Sequence, residues 1–430
     1  MAGDDHGGEL REGAFRRAIE AGAGKLWWDV GSRALSFALS ILVARKLGAE
    51  GFGTYALYWY LAWMISQATD LGVHLVSLRS LSRRFEPDRF WSAASAKGAL
   101  TAGVVAGILV ALAAGAFAGQ RPLFLWLLAA QLVGSWVEFL GVVLRSRGGI
   151  AREGLVLTAL RSASLAAAAW ALSVSASLET LAAALALSTV PALALALGML
   201  GGIGLPFRRG AGVRDLLREA LPLGLVSGMT LLYLRADLFI VGAIAGASEA
   251  GLFQSAFRLF EATFVVSGGI AAGTFPLLAA RFGEKGFGAL GQLVLGLLVA
   301  LSAPIALAFA LAPGPILTVL YGGGFEGAAR PLSLLGVALV AVFANALTTH
   351  VLVASGRQGR LVLSIAVRLV VGVALDLLLV ARGGAAGGAL AVAAAEWSLL
   401  VVSLASSVDL LFPSRLSRGP TPRAEASSCS

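Results

Sequence analysis

The chain has 430 residues, of which 58% are hydrophobic and only 13% charged, with a formal net charge of +9 at pH 7 and a mean hydropathy of +0.85. A soluble domain carries about 25% charged residues because its surface faces water, so this composition excludes an ordinary soluble protein and makes lipid the solvent for most of the surface. The basic residues are spread along the chain rather than gathered on one segment, which argues against a nucleic-acid partner. The one cysteine, Cys429, leaves no intrachain disulfide and no Cys-based metal site.

Residues 1–25 are polar and lack the short apolar core of a cleaved signal peptide, so they read as a cytoplasmic N-terminal segment. Twelve apolar stretches follow, each near the length of about 20 residues that a crossing helix needs. They lie near 26–47, 52–78, 92–118, 123–144, 154–174, 179–200, 221–245, 252–280, 288–311, 331–354, 361–381 and 386–408. None alternates as a barrel strand must, and lipid leaves helices as the remaining solution for the backbone. The expected fold is therefore all-α and polytopic, with about twelve transmembrane helices. The expected organisation is an N-lobe over 26–200, a cytoplasmic linker over 201–220, a C-lobe over 221–408 and a polar cytoplasmic tail over 409–430.

With the N-terminus inside, basic clusters such as Arg79, Arg83, Arg84 and Arg89, or Arg208, Arg209, Arg214 and Arg218, all fall on the cytoplasmic side. The outer loops hold only Arg45, Lys46, Arg121, Arg330 and Arg382. This asymmetry predicts a multi-pass protein of the inner (cytoplasmic) membrane with both termini inside. Trp27, Trp28, Trp59 and Trp91 stand near span ends, where aromatic belts sit and where ordinary packing is equally common.

The two halves resemble each other. "LGAEGFGTYAL" after the first span parallels "AGASEAGLFQSAF" after the seventh, matching Gly53 to Gly251 and Tyr55 to Phe253. "GLVLTALR" ending at Arg161 parallels "RLVLSIAVR" ending at Arg368. Six spans per copy makes the copies parallel, and transporters built this way place their substrate path between the halves.

Five arginines fall inside the spans: Arg33, Arg161, Arg235, Arg258 and Arg368. Each costs about 2.5–3.5 kcal/mol at a helix centre, so they must face protein, water or the interface. Seven acids accompany them: Asp29, Asp70, Glu138, Asp237, Glu261, Asp376 and Glu396. Asp29 with Arg33, Arg258 with Glu261, and Asp70 with His74 share a helical face. Arg161 and Arg368 have no nearby acid on their own helix. Counting residues from the span ends puts Arg33, Arg161 and Arg368 at an inner level and Arg235 and Arg258 at an outer one. The functional reading is an anion path between these two cationic levels; the plain reading is snorkelling to the interface and structural ion pairs. The open roles for Asp29, Asp70, Asp237, Glu261 and Asp376 are ion coupling, to Na⁺ or H⁺, and charge pairing.

No phosphate loop is present, since Gly24-Lys25 is followed by Leu26. His6, His74 and His350 are too dispersed for a metal site, and no catalytic residue is singled out. The expectation is a transporter rather than an enzyme, with no cofactor.

The stretches "RALSFALSILVARKLGAEGFGTYAL", "DLGVHLVSLRSLSRR", "YLRADLFIVGAIAGASEAGLFQSAFRLFEA" and "LYGGGFEGAARPLSLL" resemble the polysaccharide-biosynthesis flippases. These share a superfamily with multidrug extrusion (MATE) proteins and the peptidoglycan-precursor flippase. The resemblance implies two six-helix lobes around a central cavity with alternating access. It also implies a substrate of the undecaprenyl-pyrophosphate-linked oligosaccharide type, with membrane lipids, a polysaccharide polymerase and glycosyltransferases as partners. Arg33, Arg235 and Arg258 match the positions of the family's cationic cavity. The chain departs from the family in having more intramembrane acids than arginines. The alternatives are a cation-coupled exporter of small amphiphiles using Asp70, Asp237 or Asp376, and a membrane glycosyltransferase, which would show a long outer loop.

Overall fold

The computed structural model describes residues 5–83, 86–116, 119–201, 213–282 and 286–412. Most of the expected tail over 409–430 and half of the linker over 201–220 lie outside the described residues. The described residues form thirteen α-helices and no strand. These are α1 (Asp5–Ala68), α2 (Val73–Arg83), α3 (Pro87–Ala113), α4 (Arg121–Ser146), α5 (Ile150–Val174), α6 (Leu178–Leu200), α7 (Val213–Ala245), α8 (Ala247–Ala262), α9 (Phe264–Ala280), α10 (Phe287–Leu311), α11 (Pro313–Tyr321), α12 (Ala329–Ala354) and α13 (Gln358–Leu411).

Eight helical segments are long and apolar enough to cross a membrane, and each of the twelve expected spans falls on helix. Two pairs of spans are continuous except for one glycine, Gly48 in α1 (φ 68) and Gly384 in α13 (φ 50). A positive φ is cheap only for glycine, so these residues turn the chain without a loop. Two expected spans are interrupted. The stretch over 52–78 breaks between α1 and α2, and the stretch over 252–280 breaks at Thr263 between α8 and α9. The short helix α11 was not expected; it stands in what reads as a glycine-rich gap.

The chain forms two compact units. The first comprises residues 1–258, 314–329 and 383–385; the second comprises 259–313, 330–382 and 386–430. In the first unit α4 packs on α5 and α6, α1 packs on α4 and α5, and α2 packs on α3, α4 and α7. The most apolar stretch of α4 is 67% buried and that of α3 only 11%, so α4 is a central helix and α3 a peripheral one. Val73, Phe90, Phe139, Val143, Val156 and Leu160 form the heart of this packing. Outward leucines and valines such as Leu109 and Val110 are what a lipid-facing surface requires. In the second unit Leu332, Leu335, Leu339, Phe343 and Leu347 bury one side of α12. There Thr348 and Ser403 share a hydrogen bond at 2.8 Å, and Trp397 donates to the Val337 carbonyl at 3.2 Å.

Gly53 and Gly251, the matched glycines of the repeat, touch each other. A Cβ on Gly53 would lie 1.8 Å from the Ala247 carbonyl oxygen, and one on Gly251 would lie 1.8 Å from that of Ala49. Small residues let helix backbones approach this closely in lipid. Around this crossing the first unit is closed by buried rings. Phe52 lies 6.4 Å from both Tyr321 and Phe325, and Tyr321 lies 5.3 Å from Phe325. Arg45 donates to the Leu320 carbonyl at 2.7 Å and to that of Val319, capping α11. Glu249 accepts from the Ala385 N–H at 2.7 Å, which clips the Gly384 turn to the start of α8.

Gly53→Leu should lower the melting temperature of the detergent-purified protein sharply, because backbone has no room to yield and overpacking costs on the order of 3 kcal/mol. Gly103→Ala, where a Cβ meets nothing within 4 Å, should not lower it. Equal melting temperatures for Gly53→Leu and wild type would contradict the close crossing.

Candidate functional site

The interruption after α1 builds one wall of the site. Leu71 has φ 37, the one positive value at a non-glycine among the described residues, and Gly72 has φ 83. The α7 backbone closes over this break. A Cβ on Gly72 would lie 2.4 Å from the Ala220 carbonyl oxygen, and one on Gly224 would lie 2.4 Å from the Leu71 carbonyl carbon. Asp70, just before the break, accepts from the His74 N–H at 3.3 Å and so caps α2. Its other oxygen accepts from Lys97 Nζ at 3.3 Å, and Lys97 also donates to Ser135 Oγ at 2.8 Å. Lys97 is fully buried, with Trp136 and Phe139 rings 5.8 and 5.9 Å from its ammonium. A cavity of about 610 Å³ lies beside this group, lined by Asp70, His74, Ser135, Glu138, Gly224 and Leu232 among others.

A second cavity, of about 200 Å³, is lined by three guanidinium groups from three helices: Arg161 of α5, Arg235 of α7 and Arg258 of α8. Tyr60 organises two of them. Arg235 lies 4.0 Å above the Tyr60 ring centre, with the Phe257 ring 5.7 Å away and the Trp63 ring 5.9 Å away. Gln254 donates to the Tyr60 hydroxyl at 3.2 Å, and Arg258 donates to it and to the Ser36 carbonyl at 3.4 Å each. A cation over a ring face is attracted by the ring's quadrupole, which favours Arg235 at this place, and Glu138 is the carboxylate in the same cavity wall. Arg161 donates to Glu138 at 3.1 Å. Tyr55, Trp59 and Trp63 supply aromatic walls. A narrow third space shares Gln67 and Ser135 with the first cavity and Trp59, Gln131 and Arg161 with the second.

The remaining expected residues are placed elsewhere. Arg33 is exposed and Asp29 half-buried on α1. Asp237 is 3% exposed on α7, and its Oδ2 has no hydrogen-bond partner among the described residues. Glu261, Arg368 and Asp376 belong to the second unit. Glu261 is half-buried there, and Asp376 is fully enclosed. Arg368 donates to Glu396 at 3.1 Å, and Asn345 holds the other Glu396 oxygen at 3.2 Å. At 4% and 8% side-chain exposure that pair is enclosed.

Arg161, expected at another level from Arg235 and Arg258, lines the same cavity as both. The pairing expected between Asp70 and His74 runs through the His74 backbone, and the cationic partner of Asp70 is Lys97. That lysine lies inside the expected span 92–118 and was missed because only arginines were counted among the intramembrane cations. Trp59, read as a belt or packing residue, faces the cavity. A signal for this wet interior does exist in α4: Gln131, Ser135 and Glu138 recur at helical spacing in an otherwise apolar span, marking one polar face.

This arrangement, with charged cavities enclosed by apolar helices, defines a polytopic membrane protein of the transporter fold class. The fold is that of a multidrug-resistance MATE-family transporter of the MOP superfamily in its inward-facing conformation (TM-score 0.67, 18% identity, covering 88% of this chain and 94% of that one). It is equally that of the lipid II flippase MurJ in an inward closed conformation (TM-score 0.67, 13% identity, 91% and 87% covered). A MOP-superfamily transporter from Pyrococcus furiosus matches with a TM-score of 0.62 at 19% identity, over 91% and 94% of the two chains. The chain belongs to the polysaccharide biosynthesis protein family, whose sequence profile matches residues 28–282, more than half of it. No curated protein matches the chain in sequence.

Lys97→Met should destabilise by about 3 kcal/mol or more, because removing one partner leaves a buried charge uncompensated. Adding Asp70→Asn to it should restore part of the lost melting temperature. A double variant no more stable than the sum of the singles would show that the pair is not coupled.

Proposed function

We propose that this protein carries a polyprenyl-pyrophosphate-linked oligosaccharide across the cytoplasmic membrane by alternating access, for surface polysaccharide synthesis. The observation that carries this reading is the convergence of Arg161, Arg235 and Arg258 on one cavity inside an apolar helical unit. Placing each arginine there costs about 2.5–3.5 kcal/mol, and an anionic ligand offsets that cost when it binds. A diphosphate suits these groups, since a planar guanidinium engages phosphate oxygens in pairs. The aromatic walls from Tyr55, Trp59 and Trp63 suit the sugar end, whose C–H faces lie flat on rings. Membership of the polysaccharide biosynthesis family supports the same substrate class. On this reading glycosyltransferases supply the substrate, a polymerase consumes the product, and both termini are cytoplasmic.

One observation favours a second reading, a cation-coupled exporter of small amphiphiles. Asp70 lines the larger cavity and is neutralised by a lysine it could exchange for H⁺ or Na⁺.

Deletion of the gene should make cells accumulate lipid-linked sugar units on the cytoplasmic side and lose surface glycan. Unchanged lipids and glycan, with increased sensitivity to dyes or drugs, would replace this reading with the exporter. Arg235→Ala and Arg258→Ala should each lower glycan export at least tenfold with the protein level in the membrane maintained. Full export by both variants would remove these residues from the mechanism.

A further inference from the structure

Glu138 lines each of the three cavities described above. It stands well inside α4, yet its side chain is 39% exposed and that of its partner Arg161 is 31% exposed. Two other pairs that join helical segments are more enclosed, whereas Arg357 with Asp409 stands at 24% and 56%. Lys97 and Asp70 are 0% and 17% exposed, and Arg368 and Glu396 are 4% and 8% exposed. Those pairs fix helices together. The Arg161–Glu138 pair faces open space on both partners.

This difference decides how easily each pair can be broken. Opening an enclosed pair strands a charge and costs about 3–5 kcal/mol. An ion pair this exposed to solvent contributes roughly 0–1 kcal/mol, so a competing anion can take its cation at little expense. The competitor proposed above, a diphosphate, would meet Arg161 already occupied by a carboxylate, with Arg235 and Arg258 lining the same cavity.

We propose that Glu138 is a resident stand-in for the substrate's phosphate. It occupies Arg161 while the cavity is empty, yields that guanidinium to the incoming diphosphate, and takes it back when the substrate leaves. The displaced carboxylate remains in the larger cavity, whose lining it shares with His74 and Ser135. Because the carboxylate competes for the same cation, it lowers affinity for the anion and drives its release. Glu138 is thus a specificity and release residue for the anionic head group. Its role rests on the anionic-substrate reading.

The test uses the full-length protein in nanodiscs and inorganic pyrophosphate as the probe, with binding followed by calorimetry and by the shift in melting temperature. Glu138→Gln should bind pyrophosphate about tenfold more tightly than wild type, while glycan export in cells falls because release is slowed. If the Gln variant fails to accumulate, Glu138→Asp draws the carboxylate back by one methylene and should tighten binding about threefold. Arg161→Ala should weaken binding. Loss of affinity in Arg161→Ala, with unchanged or weaker binding in both Glu138 variants, would overturn the role of Glu138 and leave the anion site standing. Absence of pyrophosphate binding by wild type and every variant would overturn the anion site itself.

Discussion

A charge inside an apolar helix has to be satisfied within the protein, and the structure of both units follows from how this is done. Lipid offers neither counter-ions nor hydrogen bonds, so each charged side chain is retained only with a partner, a ring face or a cavity. Lys97 of α3 meets Asp70 beside α2 and Ser135 of α4. Arg161 of α5 meets Glu138 of α4. In the second unit, Arg368 and Glu396 tie together the two segments of α13, and Asn345 of α12 joins them. Each contact links separate helical segments. It therefore sets their register in a way that leucine against leucine cannot, since apolar side chains gain little in lipid from choosing one neighbour over another.

Arg235 adds ring faces to its surroundings. Its guanidinium lies over Tyr60, with Trp63 and Phe257 nearby, and Tyr60 in turn accepts from Gln254 and Arg258. Tyr60 and Arg258 stand 198 residues apart, the same offset that relates Gly53 to Gly251. The internal repeat is thus more than a trace in the sequence. Its two copies meet through glycines at one point of the first unit and through a tyrosine and an arginine deeper in it. Close backbone approach at the glycines brings α1 and α8 near enough for the longer side chains to share one hydroxyl.

The helices were legible because about 20 apolar residues bounded by glycine, proline or charge leave little choice of structure. The matched glycines were legible as a repeat, although nothing in the pattern said that they would touch. The ion pairs were not legible. Spacing rules pair residues three or four apart on one helix, whereas the partners of Lys97, Arg161 and Arg368 lie 27, 23 and 28 residues away. Counting residues from span ends did not show that Arg161 shares a cavity with Arg235 and Arg258. The break at Leu71–Gly72 was hidden by the apolar residues around it, and its cause is tertiary: the α7 backbone at Ala220 and Gly224 occupies the space that a Cβ on Gly72 would need.

On the proposed function, the mixture of charges in the cavities, at first sight a departure from what a phosphate carrier requires, follows from the need to release. A site of arginines alone would bind a diphosphate tightly and hold it, and a carrier that cannot unload its substrate does no transport. Conduction and carriage both require binding strong enough to draw the ligand in and weak enough to let it go. Acids placed against the cations supply that balance without removing the attraction. Their placement is uneven. The enclosed pair at Asp70 and Lys97 sits beside the helix break, where it can hold α2 in position, while the exposed pair at Glu138 and Arg161 faces the space a ligand enters. On that reading, structural and exchangeable charge are separated by burial, within helices α2 to α5.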